Sequence, residues 1–117
     1  MQTIESDAVF HAIADRTRRR LLELLAEGER PVQDLAAEFD MSFAAVSQHL
    51  QILRAAGLVR RRPAGRKRIY ALEPAPLAEV RAWTDQYERF WKARLARLRR
   101  HLATKPAAKP AAKDETP

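Results

Sequence analysis

From Ser42 to Leu72 the residues follow an order that admits few folds: a helix that has to stop, then two extended runs around a tight turn. Phe43, Val46, Leu50 and Leu53 recur at helical spacing behind Ser42, a residue type that caps helix N termini. Gly57 stands where a left-handed residue ends a helix. The spacing predicts a helix from about Phe43 to Ala56. Leu58 to Arg62 and Lys67 to Leu72, with Val59, Ile69 and Tyr70 among them, flank Pro63-Ala64-Gly65 and read as a hairpin with a basic tip.

Charge is distributed to match. Met41 to Leu72 holds Arg54, Arg60, Arg61, Arg62, Arg66, Lys67 and Arg68 and no acid, whereas residues 1–40 are net acidic and the whole chain is +7. A run of one sign makes a field that attracts a polyanion, so nucleic acid is the implied partner. With Val46, Leu50 and Leu53 turned to a core, the helix presents Ala44, Ser47, Gln48 and Gln51 outward and Ala45 and His49 on one flank. Such a face is small, uncharged and hydrogen-bonding. It suits entry into a major groove, where Gln48 is placed to read a base edge, with Ser42 and Arg54 at the two helix ends.

Upstream, Pro31 fits the first position of a short helix carrying Val32, Leu35, Ala36 and Phe39, and Asp40-Met41 turns the chain into the next helix. Two helices joined by so short a turn are a helix-turn-helix signature. Gln33 is then a candidate phosphate contact, as are Arg62, Arg66, Lys67 and Arg68 around the hairpin tip.

The segment VSQHLQILRAAGLVRRRPAGRKRIY resembles the recognition helix and wing of the ArsR/SmtB family of winged helix-turn-helix repressors. FHAIADRTRRRLLELL resembles that family's opening helices. The likeness runs over roughly residues 6–103, with Arg16 where the family usually has Pro and without the cysteine-bearing metal box. It implies a mainly α fold with a small β-hairpin, a long C-terminal dimerisation helix, and a homodimer that represses transcription on a two-fold related operator in double-stranded DNA.

The remaining elements follow from pattern. Ser6-Asp7 is expected to begin a first helix with Val9, Phe10 and Ile13 on its apolar side; Asp15 ends it and caps a second helix, which runs to about Glu27. In that second helix Leu21, Leu22, Leu24 and Leu25 face the core, and Arg16, Arg18, Arg19 and Arg20 read as a solvated face. After Pro74 and Pro76 a single long helix is expected, with Leu77, Val80, Trp83, Tyr87, Phe90, Trp91, Leu95, Leu98 and Leu102 along one stripe. A chain this size completes its core with its first four helices. The stripe is therefore expected to meet a second copy, with Val9 and Phe10 joining it through the resemblance.

Residues 1–103 thus read as one DNA-binding and dimerisation domain. Residues 104–117, TKPAAKPAAKDETP, lack an apolar residue larger than Ala and are expected to form a disordered tail.

With no cysteine, disulfides and thiolate metal sites are excluded. His11, His49 and His101 fall in three separate predicted helices, so no metal or other cofactor is expected. No nucleophile–base–acid set or phosphate loop suggests catalysis. Neither a leader-like N terminus nor a membrane span is visible, so the chain is expected in the cytoplasm with no membrane partner. Two other readings remain open: a metal- or small-molecule-responsive sensor repressor of the same fold, its effector unknown, and a sequence-independent architectural DNA-binding protein.

Overall fold

The computed structural model describes residues 3–104, so the tail from Lys105 onward, expected to be disordered, lies outside the described residues. The elements run α1 (Thr3–Ile13), α2 (Arg16–Ala26), β1 (Arg30–Pro31), α3 (Val32–Ala36), α4 (Phe43–Ala55), β2 (Val59–Ala64), β3 (Lys67–Leu72), a 3-10 turn (Ala75–Leu77), α5 (Ala78–Asp85) and α6 (Glu88–Thr104). The fold class is the expected one, mainly α with a small sheet in winged helix-turn-helix order. Two compact units are distinguished, one ending at Ala82 and one beginning at Trp83.

The core of the first unit forms from the apolar faces of its helices and one face of its sheet. Leu21, Leu35, Val46, Leu50, Leu53 and Leu58 are completely buried. Val9 and Ala12 of α1, Leu22, Leu24 and Leu25 of α2, and Val59 and Tyr70 of the sheet close around them. Removing such a side chain loses its burial and leaves a cavity, so each Leu→Ala there costs roughly 2–5 kcal/mol.

Several boundaries differ from the sequence reading. Helix α1 starts at Thr3, which puts Ser6 inside it rather than at its cap. Arg30-Pro31 is a short strand pairing with Tyr70 and Ile69 of β3, so the sheet has three strands in the order β1-β3-β2. Pro31 is the N-cap of α3, not its first residue; lacking an N–H, it is tolerated because β1 is an edge strand. Phe39 lies beyond the end of α3 but still packs against the core. Pro63 and Ala64 belong to β2, and the wing turns at Gly65-Arg66, where Gly65 has φ +66°.

The single long C-terminal helix is two helices. Their break lies at Gln86-Tyr87, where the Tyr87 N–H donates to the Thr84 carbonyl in a tight turn. Thr84 and Asp85 are poor helix-interior residues because their side chains compete for nearby backbone groups. Asp is also disfavoured at a helix C terminus and favoured just ahead of an N terminus.

Between α1 and α2, Asp15 acts as the N-cap of α2: its carboxylate accepts the Arg18 N–H at 3.1 Å. That backbone bond is the main cause that lowers its pKa; burial opposes it, and the nearby charge of Arg18, joined by that of His49 whenever the ring is protonated, acts in the same direction. Asp15→Ala is expected to cost about 1 kcal/mol at neutral pH. A carboxyl whose folded-state pKa is depressed contributes stability that is complete above its ordinary range and is lost as pH falls through the lowered value. In urea denaturation the gap between wild type and Asp15→Ala should therefore be constant around neutrality and close on acidification.

Candidate nucleic-acid interface

Helix α4 is held at both ends by local bonds. At its start the Ser42 hydroxyl accepts the Ala45 N–H at 3.0 Å. At its end the Gly57 N–H donates to the Arg54 carbonyl and the Leu58 N–H to the Leu53 carbonyl, both at 2.9 Å, with Gly57 at φ +79°. This Schellman pair brings Leu58 into the core as the first residue past the helix. Val46, Leu50 and Leu53 face inward; Ala44, Gln48 and Gln51 are exposed, and Ala45 and Ser47 lie half-buried beside them. Phe43, grouped with the core by spacing, is instead 53% exposed, because the first turn of α4 projects past the core.

The register of the wing sorts its arginines. Arg61 pairs with Tyr70, Pro63 with Arg68 and Val59 with Leu72, and opposite residues share a face, so Arg61 and Arg68 lie on the side that buries Tyr70 and Val59. Arg60, Arg62, Lys67 and Ile69 lie on the other side. There Arg60 bonds the Glu73 carboxylate at 2.6 Å and Arg62 bonds Glu29 at 3.3 Å. Arg61, Arg66 and Arg68 form no ion pair among the described residues.

These free cations meet the helix-turn-helix in a recess of about 300 Å³. It is lined by Gln33 and Val32 of α3, Phe43, Ser47 and Gln51 of α4, and Arg61, Arg66, Arg68 and Tyr70 of the wing. No acid lines it. The arrangement joins hydrogen-bonding groups on a projecting helix to unpaired cations on a flanking hairpin, which is what a duplex with readable edges and charged walls requires.

Of the expected contacts, Gln33, Ser47, Gln51, Arg66 and Arg68 converge on this recess, while Ala44 and Gln48 lie on the exposed face of α4. Arg54 is exposed in the last turn of α4, Ser42 caps that helix, and Arg62 and Lys67 point to the far side of the wing. Arg61, which the sequence reading did not single out, also lines the recess; its signal is the two-residue alternation from buried Val59.

His49 is not simply part of the outward polar run. Its Nδ1 lies 3.2 Å from Nη1 of Arg18, and its side chain is 22% exposed. Arg18, grouped with a solvated face, is buried at 7% exposure. Its Nε donates to the Ala12 carbonyl at 2.7 Å and its Nη2 to the His11 carbonyl at 3.0 Å. Arg19 donates likewise to Ile13. The terminal carbonyls of α1 thus obtain donors from the next helix, and the charge is stabilised at the negative end of the α1 dipole. A basic run gives no hint of which arginine turns inward.

Of the residues expected at a dimer interface, Val9 is 2% exposed in the core of the single chain, and Val80 packs partly against that core, so neither belongs to an open face. Phe10 is half-buried. Trp83, Tyr87, Phe90, Trp91, Leu95, Leu98 and Leu102 remain exposed, from 40% at Tyr87 to 59% at Trp91. Among the described residues no three His, Cys, Asp or Glu side chains are placed to hold a metal ion, and no helix is long and apolar enough to cross a membrane.

Fold and recess together define a winged helix-turn-helix DNA-binding protein. Residues 15–61 match the family model described as bacterial regulatory protein, arsR family. The chain is 47% identical over 92 residues to an HTH-type transcriptional regulator of Mycobacterium tuberculosis, covering 78% of this chain and 83% of that protein. It is 36% identical over 75 residues to the transcriptional repressor SdpR of Bacillus subtilis, covering 64% and 83%. Among solved structures it is similar to the homodimeric winged helix-turn-helix DNA-binding domain of a possible ArsR-family regulator from Mycobacterium bovis, with TM-score 0.59, 30% identity and coverage of 72% and 83%. The chain belongs to the ArsR family of transcriptional regulators.

The sorting of the wing predicts a contrast between neighbours. Arg61→Ala should weaken binding to any duplex and reduce the slope of log K against log salt by about one for each phosphate that the side chain neutralises. Arg62→Ala, removing a side chain bonded to Glu29 on the far face, should leave both nearly unchanged. Fluorescence anisotropy at two salt concentrations measures both quantities.

Proposed function

We propose that this chain is a homodimeric, sequence-specific repressor that acts in the cytoplasm, without enzymatic activity, by occupying a two-fold related operator. The observation that carries this reading is the acid-free recess where Gln33, Ser47 and Gln51 meet Arg61, Arg66 and Arg68. In it α4 enters the major groove, Gln48 reads base edges, and the wing arginines hold the adjoining backbone. The named relatives support regulation: one is a repressor, and the solved domain is a homodimer. The exposed stripe from Trp83 to Leu102 offers a second copy an apolar surface.

The test separates reading from holding. Gln48→Ala should cost roughly 1–3 kcal/mol on a duplex selected by the wild type from a random pool, and little on random DNA. Equal losses on both, in competition gel shifts, would show that Gln48 does not specify sequence. Leu98→Glu should yield monomers in sedimentation that bind the selected duplex poorly, since a single half-site lacks the second set of contacts. A monomeric variant with full affinity would remove the dimer from the mechanism.

A further inference from the structure

The bond between Arg18 and His49 fixes more than a helix contact. A guanidinium has donors and no acceptor, so His49 Nδ1, 3.2 Å from Arg18 Nη1, is the acceptor. A neutral imidazole that accepts at Nδ1 carries its proton on Nε2. The other charged group near this ring, the Asp15 carboxylate, stands 3.9 Å from the same Nδ1, beyond hydrogen-bond reach. Arg18 is itself held by the Ala12 and His11 carbonyls, so it cannot follow the ring if the ring turns. Nε2 has no acceptor among the described residues, and the ring borders a shallow concavity of about 400 Å³ shared with Ala45, Gln48, Gln51 and Ile52.

We infer that Arg18 is a positioning residue that holds His49 in one orientation and one tautomer, with the Nε2–H presented to a DNA phosphate. This inference rests on the DNA-binding reading above. The partner is phosphate rather than a base edge because of where the ring sits on α4. Gln48 and Ala44 occupy the middle of the exposed face, opposite Val46 and Leu50, whereas His49 lies on the flank beside Ala45 and Ile52. When the middle of a helix faces the groove floor, its flanks face the groove walls, where the phosphates lie. The contact is a neutral hydrogen bond, so it adds affinity without displacing a counterion, unlike Arg61 on the opposite side of the helix.

Two substitutions divide the ring's roles. His49→Asn places an amide near the position of Nδ1, keeping a partner for Arg18 but removing the outward donor; His49→Gln reaches the position of Nε2. Binding is measured on random duplex and on the duplex the wild type selects, at two salt concentrations, with Tm recorded for each variant. His49→Asn is expected to bind both duplexes about fivefold more weakly, the loss of one net hydrogen bond per site, with salt slope and Tm unchanged. His49→Gln restores the outward donor but not the acceptor for Arg18, so it is expected to bind more tightly than His49→Asn and more weakly than wild type. In the free wild-type chain, nitrogen-15 ring correlations should show the Nε2–H tautomer.

Wild-type affinity in His49→Asn, a loss in His49→Gln as large as in His49→Asn, a lowered salt slope, or a ring proton on Nδ1 would each overturn the inference. Should the wild type bind neither duplex, the DNA-binding reading fails first, and the ring correlations still show whether Arg18 sets the tautomer.

Discussion

Burial of one side of α4 is the constraint from which the interface follows. Val46, Leu50 and Leu53 are completely enclosed, and turning the helix enough to free any of them would exchange several kcal/mol of packing for exposed apolar surface. The inward side therefore fixes the outward one: with those three committed, Ala44, Gln48 and Gln51 have no other direction in which to point. The Ser42 cap and the Gly57 terminus set where the helix begins and ends, which decides how far it projects and where the wing departs. Packing thus aims the polar face. No separate device is needed to expose it.

Electrostatic sorting gives the wing its two sides. Five arginines within Arg60 to Arg68 would repel one another if all faced the same way. Strand alternation separates them, and Glu29 and Glu73 neutralise the pair turned away from the recess. Exposed ion pairs of this kind contribute little stability, on the order of 0–1 kcal/mol each. Their physical effect lies elsewhere: they concentrate uncompensated positive charge on the face that also carries Gln33, Ser47 and Gln51. A polyanion is drawn to that face rather than to the whole hairpin.

What was legible in the sequence was what periodicity encodes over many residues. The spacing of Val46, Leu50 and Leu53 and the paired extended runs gave α4 and the hairpin, and with them most of the residues that line the recess. Features decided by a few residues were not legible. Two residues, Arg30-Pro31, show no alternation, and their pairing with β3 depends on where α2 ends in space. The sequence reading chose Arg62 because it flanks Pro63-Ala64-Gly65; with the turn at Gly65-Arg66 and β2 extended to Ala64, alternation from Val59 instead sets Arg61 on the recess side and Arg62 on the other. Arg18 was the hardest, because nothing in RTRRR distinguishes the arginine whose direction brings it under the α1 carbonyls.

The C-terminal stripe connects stability to recognition. The core of the first unit is closed by Leu21, Leu35, Leu50, Leu53 and Leu58 without help from residues beyond Ala82, so Trp91, Leu95, Leu98 and Leu102 are not needed to complete it. Each large apolar side chain left in water forgoes roughly 1.5–3 kcal/mol that burial would supply. A run of them is a surface that association would cover. In the proposed mode one α4 reads only a few base pairs, each worth about 1–3 kcal/mol of discrimination, which is too little to select one site among the many that a genome offers. In the proposed homodimer, two copies paired through the stripe would read twice as many base pairs, with a two-fold relation that spaces the helices by a turn of the duplex or a multiple of it. On this reading the surface that looks least suited to contact with water is the one that makes the chain's DNA contacts selective.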